Sequence, residues 1–363
     1  MQNKMLIVKY RDSIVGRLAL TPDSLMAFEY DAGWLENGFS ISPFKLPLEK
    51  TVFIANREPF NGVFGVFNDC LPDNWGKLLV NRELQRRGIA PNSISVLDRL
   101  AIVGKNGPGA LEFEPAENML AEYKDSSLEV IADEINKIIN DANVVTEDSV
   151  TEELFRVGGS SGGTRPKIFR KFDGSNWIIK FRAAVDPVDI GKREFDIMEQ
   201  AVRAGLEVPE HRLFNDKYFG VRRFDRKENG EKVFMISASG LLDADYNQPV
   251  LDYSDLLSLT AKLTRNMVDV EKMFRLMVFN VLINNTDDHS KNFAFLYDGK
   301  DWKLAPAFDL TQTIGHWEHT TSVNHKGIDI TGADMIHLGH QVGMTDKEIG
   351  KIMIEVKDVV HNM

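Results

Sequence analysis

Apolar and polar positions alternate at the start of the chain. Met5-Leu6-Ile7-Val8 and residues 14–20 each read as a short strand, with the polar Arg11-Asp12 pair as the turn between them. Residues 60–67 are aromatic and punctuated by glycine, and Leu71-Pro72-Asp73-Asn74-Trp75-Gly76 then opens a helix. Asp73 stands where an N-cap belongs, and the helix is expected to run to Arg87, ahead of Gly88. Phe67 and Trp75 are read as packing this amino-terminal part.

Between residues 112 and 153 thirteen acids stand against two lysines. One amphipathic helix lies among them, with Leu128, Ile131, Ile135, Ile138 and Ile139 on one face. The segment as a whole reads as a solvated connector. From Phe155 the pattern becomes mixed helix and strand. Residues 167–172 and 177–181 predict a hairpin about Asp173-Gly174, and a helix over 190–203 is ended by Gly205. Further helices are predicted over 253–265 and 271–284, and a second hairpin over 293–305 turns at Asp298-Gly299.

The composition is that of a globular chain: 43% apolar, 27% charged and 9% aromatic over 363 residues. At ~150 residues per domain this is two or three compact units. A net charge of −11 at pH 7 argues against a protein whose main task is coating nucleic acid, which needs a basic field or patch. The single cysteine, Cys70, excludes an intramolecular disulfide and a multi-cysteine metal site, and fits a reducing compartment. Residues 1–11 hold no apolar signal-peptide core. The most apolar stretch, residues 273–283, contains Arg275 and falls short of the ~20 residues of a membrane span. The expectation is a cytoplasmic protein.

The strongest chemical signal is Asn284-Asn285-Thr286-Asp287-Asp288-His289-Ser290-Lys291-Asn292, placed where an apolar helix stops and a hairpin starts. Asp287 and Asn292 have the spacing of a kinase catalytic loop, in which Asp orients a hydroxyl and Asn holds a metal ion. Asp309, in Ala307-Phe308-Asp309-Leu310 after the hairpin, supplies a second oxygen ligand. Mg²⁺ favours such oxygen ligands and keeps water and phosphate oxygens in its shell.

Upstream parts follow in the order a kinase needs. Gly158-Gly159-Ser160-Ser161-Gly162-Gly163-Thr164 precedes the first hairpin, where bare amides of Gly162 and Gly163 can cover phosphates. No P-loop signature is present. Lys180 lies on the second strand, placed to reach phosphates. On the following helix Glu194 shares a face with Ile197, Met198, Ala201 and Val202; an inward carboxylate is costly unless paired, and Lys180 is its partner. The reading is α+β, a two-lobed protein-kinase-like fold with a β-rich amino-terminal subdomain. Its parts are expected at 1–110 (β-rich subdomain), 111–153 (acidic connector), 154–250 (small-lobe-like region) and 251–363 (helical catalytic lobe).

The sequence resembles the HipA family of serine/threonine kinases, toxins of bacterial type II toxin–antitoxin pairs. The resemblance spans nearly the whole chain. Its most specific marks are residues 67–76, Gly159 to Gly163 with Pro166-Lys167, and residues 285–292, joined by Arg223-Phe224-Asp225-Arg226 and Pro306-Ala307-Phe308-Asp309. It implies Asp287 as catalytic base, His289 as support of the loop, Asn292 and Asp309 as Mg²⁺ ligands, and Lys180 as the ATP-contacting lysine. Ser160 resembles the family's autophosphorylated serine, with Ser161 as second choice. The resemblance further implies ATP- and Mg²⁺-dependent phosphorylation of a protein such as an aminoacyl-tRNA synthetase, producing growth arrest, and a helix-turn-helix antitoxin that binds operator DNA.

Two other readings stand beside it. One is a catalytically silent kinase-fold co-repressor working with a helix-turn-helix partner. The other is a metal-dependent hydrolase using Asp287, Asp288, His289, His316 and His319. Asp225 and its flanking arginines are read as a structural ion-pair cluster.

Overall fold

The computed structural model describes residues 3–117, 126–140, 149–159, 165–313 and 315–361. Strands β1 (Met5–Tyr10) and β2 (Ser13–Leu20) pair antiparallel, as the alternation requires. After them come β3 (Met26–Tyr30), α1 (Ala32–Asn37), β4 (Val52–Ile54), α2 (Gly65–Asn68), α3 (Asn74–Arg86) and α4 (Val96–Val103). β5 (Leu111–Glu114) then pairs with β1 and completes an antiparallel sheet in the order β4-β3-β2-β1-β5. This corrects the expected boundary at 110: the Leu-Glu-Phe-Glu alternation buries Leu111 and Phe113, so the sheet runs on to Glu114.

The acidic segment is more than a solvated connector. Helix α5 (Leu128–Asn140) sinks Leu128, Ile131, Ile135 and Ile138 into a core shared with Trp75 and Leu79 of α3 and Leu154 of α6 (Ser149–Gly158). Burial of each aliphatic side chain contributes ~1.5–3 kcal/mol. The apolar stripe therefore decides the helix's place, and the charge of its other face does not.

The same core covers one side of a four-stranded sheet built from β6 (Lys167–Phe172), β7 (Ser175–Lys180), β8 (His211–Phe214) and β9 (Tyr218–Arg222), in the order β6-β7-β9-β8. Asp173 and Gly174 both take positive φ, 50° and 79°, the tight hairpin turn expected there. Helix α7 (Ile190–Arg203) crosses between β7 and β8 and stops at Gly205, whose φ is 77°. Val202, read as inward, is turned outward and 48% exposed.

The remaining chain forms the larger lobe: β10 (Phe234–Ser237), α8 (Ala238–Leu242), β11 (Leu251–Asp252), α9 (Tyr253–Thr264), α10 (Met267–Leu282), β12 (Ala294–Tyr297), β13 (Trp302–Leu304), β14 (Thr321–Ser322), α11 (Gly332–Gln341) and α12 (Asp346–His361). Helix α10 begins ahead of the expected 271 because Asn266 caps it, accepting from the Val268 amide at 3.0 Å. The main core runs without a break from Phe28, Phe67 and Phe113 of the amino-terminal sheet to Phe234, Phe274 and Phe295 of this lobe. Among the described residues, no helix is long and apolar enough to cross a membrane.

Asp73 occupies the N-cap position of α3, but its side chain makes no capping bond. It pairs instead with Lys291 at 2.7 Å, a stronger charge-assisted contact than a neutral amide offers.

Candidate active site

Helix α10 ends at the core's rim, and Asn284, with φ 56°, turns the chain out of it. Its amide Nδ2 donates to the Thr313 carbonyl at 2.9 Å, and Asn285 donates to Asn280 Oδ1 at 3.0 Å. These bonds hold the start of the polar loop still. The two acids that follow have opposite fates. Asp288 is buried and fully engaged: its carboxylate accepts from Tyr253 at 3.1 Å, from His319 Nδ1 at 2.9 Å and from the Thr321 amide at 3.1 Å. Asp287 faces an open cleft of about 870 Å³, lined also by Arg165, Glu194, Thr311 and His316.

Burial pushes the Asp287 carboxyl above its ordinary value; His289 opposes this and Asp309 reinforces it. A carboxylate of raised basicity is a better acceptor for a hydroxyl proton near neutral pH. Asn292, at the end of the 3-10 turn Ser290–Asn292, donates Nδ2 to the Asp287 carbonyl at 2.8 Å and so closes the loop on itself. With the nitrogen used, the amide oxygen is the group left for a cation. The His289 ring packs tilted against the Tyr246 ring, 6.0 Å between centres, and its Nδ1 is buried without a hydrogen-bond partner among the described residues.

The opposite wall is a buried charge cluster. Lys180, at the end of β7, hydrogen-bonds Asp309 and lies 3.2 Å from Glu194 Oε2 on α7. Burial alone pulls the lysine's pKa down, but the Asp309 and Glu194 carboxylates outweigh it and hold the ammonium charged. Burial likewise raises Asp309, and Lys180 with Lys167 reverses that, keeping it well below the carboxylate range. Asp309 sits at φ 56°, a left-handed conformation that Asp tolerates better than bulkier residues.

The structure thus puts Glu194 and Asp287 on the lining of one cleft, joins Glu194 through Lys180 to Asp309, and ties Asn292 to the Asp287 carbonyl, with His289 between them in the same loop. Ser160, Ser161, Gly162 and Gly163 lie outside the described residues. The sequence reading missed Arg165, which holds Glu194 Oε1 at 3.0 Å and Asp186 at 3.2 Å, and Lys167, buried opposite Lys180 in the β6–β7 register. It also missed Tyr253, whose hydroxyl fixes Asp288. The inward position of Glu194 was a readable signal that a cation must be near; that two cations serve it was not.

The hydrolase constellation does not assemble. His319 is committed to Asp288, and among the described residues no three His, Cys, Asp or Glu side chains are grouped so as to hold a metal ion. The donor set fits Mg²⁺ in another way. Asn292 and Asp309 offer two protein oxygens with a single negative charge, which suits a hydrated ion that also takes phosphate oxygens.

The family model for the HipA N-terminal domain matches residues 6–114, and that for the HipA-like C-terminal domain matches residues 159–363. The chain is 25% identical to the putative kinase Y4mE of Sinorhizobium fredii, over 96% of this chain and 86% of that protein. It is 24% identical to the serine/threonine-protein kinase toxin HipA of Shewanella oneidensis, over 82% of this chain and 73% of that one. A chain of the Shewanella oneidensis HipA, HipB and operator DNA complex shares the fold, with a TM-score of 0.72 at 19% identity, covering 98% of this chain and 88% of that one. Matched by the amino-terminal model over residues 6–114 and by the carboxy-terminal model over residues 159–363, more than half of its length, the chain belongs to the HipA family of kinase toxins.

Proposed function

We propose that this protein is an ATP- and Mg²⁺-dependent serine/threonine protein kinase that acts as a growth-arresting toxin in the cytoplasm. The observation that carries the reading is Lys180, held between Glu194 and Asp309 on one wall of the cleft that Asp287 faces. An ammonium so placed is a ready partner for phosphate oxygens once Asp309 turns from it to the cation. Asn292 and Asp309 would hold Mg²⁺, which supplies neutralisation of phosphate charge. Asp287 accepts the proton of the attacking serine or threonine hydroxyl, helped by its raised basicity. Gly162 and Gly163 cover the phosphates, and Ser160, or failing it Ser161, is the autophosphorylation site that limits the enzyme.

The substrate is a component of translation, an aminoacyl-tRNA synthetase being the family's precedent. A helix-turn-helix antitoxin is the partner through which the protein meets operator DNA. The net charge of −11 supports this, because an acidic chain suits a basic DNA-binding partner and not DNA itself.

The test is intact mass and peptide mapping after incubation with Mg·ATP, beside Asp287→Ala. Added phosphate in the 158–167 peptide, absent from the variant, is the expected outcome. ATP binding without phosphate on this chain or on any added protein would instead favour the silent co-repressor.

A further inference from the structure

Residues 65–75 touch both walls of the cleft, although none of them lines it. Asp73 accepts from Lys291 Nζ at 2.7 Å, with the two side chains only 14% and 12% exposed. Lys291 lies in the proposed catalytic loop, between His289 and Asn292, and its ammonium sits 4.1 Å from the centre of the Tyr246 ring, which packs tilted against His289. Two residues further on, Trp75 Nε1 donates to the Lys167 carbonyl at 3.1 Å. Lys167 is directly opposite Lys180 across the β6–β7 hairpin. Asp69 adds a third hold: it accepts from the Ser237 amide at 2.7 Å and its hydroxyl at 2.8 Å. Ser237 is the N-cap of α8, which packs on the turn Ser290–Asn292.

Asp73 and Trp75 stand at the start of α3, a helix anchored in the small-lobe core by Leu79 and Leu84. A rigid element therefore grips one wall through a charge and the other through an indole N–H. We infer that the 69–75 segment of the amino-terminal subdomain is a clamp that fixes the spacing between the Lys180 wall and the Asp287–Asn292 loop, with Asp73 and Trp75 as positioning residues. An exposed ion pair would have little such effect, but this pair is almost wholly shielded and joins a subdomain to the loop that carries the proposed base. Displacing such a loop by about 1 Å is enough to slow catalysis about 100-fold.

The kinetic consequence rests on the phosphotransfer reading; the mechanical one does not. The experiment compares the full-length protein with Asp73→Asn, Lys291→Met, the double variant and Trp75→Phe. Lys9→Met, which breaks the 3.2 Å pair of Lys9 with Glu114 elsewhere in the subdomain, serves as control. Amide exchange is expected to quicken about tenfold or more over residues 285–293 in both single charge variants, with no further gain in the double. Trp75→Phe should act on residues 165–170, and Lys9→Met on neither. With phosphotransfer to protein as readout, kcat should fall ~10- to 100-fold while the KM for ATP stays within about twofold.

Unchanged exchange over 285–293 in both Asp73→Asn and Lys291→Met overturns the clamp, as does a rise in kcat, which would make the segment a brake. Should the wild-type protein transfer no phosphate, the exchange data decide the clamp alone and the kinase reading fails separately. If Asp73→Asn does not fold, Lys291→Arg against Lys291→Met carries the test: arginine should keep the protection and methionine lose it.

Discussion

Asp225 offers the most quantitative prediction. Its buried carboxylate accepts from Arg223 at 2.6 and 2.8 Å, from Arg226 at 2.9 Å and from the Gly109 amide at 2.8 Å. The two guanidiniums in turn donate to the Gly107 and Gly109 carbonyls, so one cluster fastens the 107–109 turn of the amino-terminal subdomain beneath the small lobe. Burial would raise the carboxyl, but the two arginines reverse this and hold it at about 2 against an ordinary 3.8. At about 1.4 kcal/mol per pH unit, ionisation of Asp225 favours the folded state by about 2 kcal/mol. That stabilisation is present in full above the ordinary 3.8 and disappears as the pH falls through about 2. Asp225→Asn removes it and leaves two buried guanidiniums without their anion, so the loss should be larger, about 3–5 kcal/mol. With a urea slope of about 3 kcal/mol/M for a chain of this size, the midpoint should fall by about 1–1.7 M, followed by tryptophan fluorescence and circular dichroism together. A shift below about 0.3 M would refute the reasoning, because the carboxylate would then have been replaceable by a neutral amide.

Other predictions follow from the same geometry. Asp309→Ala should weaken Mg·ATP binding by at least about tenfold in calorimetry, because it removes one of the two oxygens proposed to hold Mg²⁺ and one of the two carboxylates that pair with Lys180; unchanged affinity would exclude the ligand role. Tyr253→Phe deprives Asp288 of a donor at 3.1 Å and Asn280 of an acceptor at 2.9 Å, both buried, and should cost about 1–3 kcal/mol in unfolding experiments. Ile131→Ala on α5 should cost about 2–5 kcal/mol if that helix is a core element. A change within about 0.5 kcal/mol would return it to the solvated connector.

What the sequence made legible was local or carried by a polarity conflict. The Asp173-Gly174 hairpin needs only two residues that accept positive φ. The Lys180–Glu194 pair was found because a carboxylate on an apolar helix face demands a cation. Of the two adjacent acids, Asp287 was singled out by its spacing to Asn292; what the string could not show is that Asp288 is held in place by Tyr253, His319 and Thr321, all distant in sequence. The place of α5 was legible in its stripe, but the count of surrounding acids was given too much weight. Lys291 had no local feature to set it apart from a surface lysine, since its partner Asp73 lies 218 residues away.

Cys70, the only thiol in the chain, sits within the segment that joins the two walls. Burial and then the neighbouring Asp69 push its pKa up, and its Sγ lies 3.4 Å from the Val66 carbonyl. In the folded protein it is therefore both hidden and protonated, and slow to react with alkylating reagents. Modification requires the segment to lift away from its seat. The rate of alkylation of this one atom is thus a built-in clock for opening, readable on the native chain without any label or substitution.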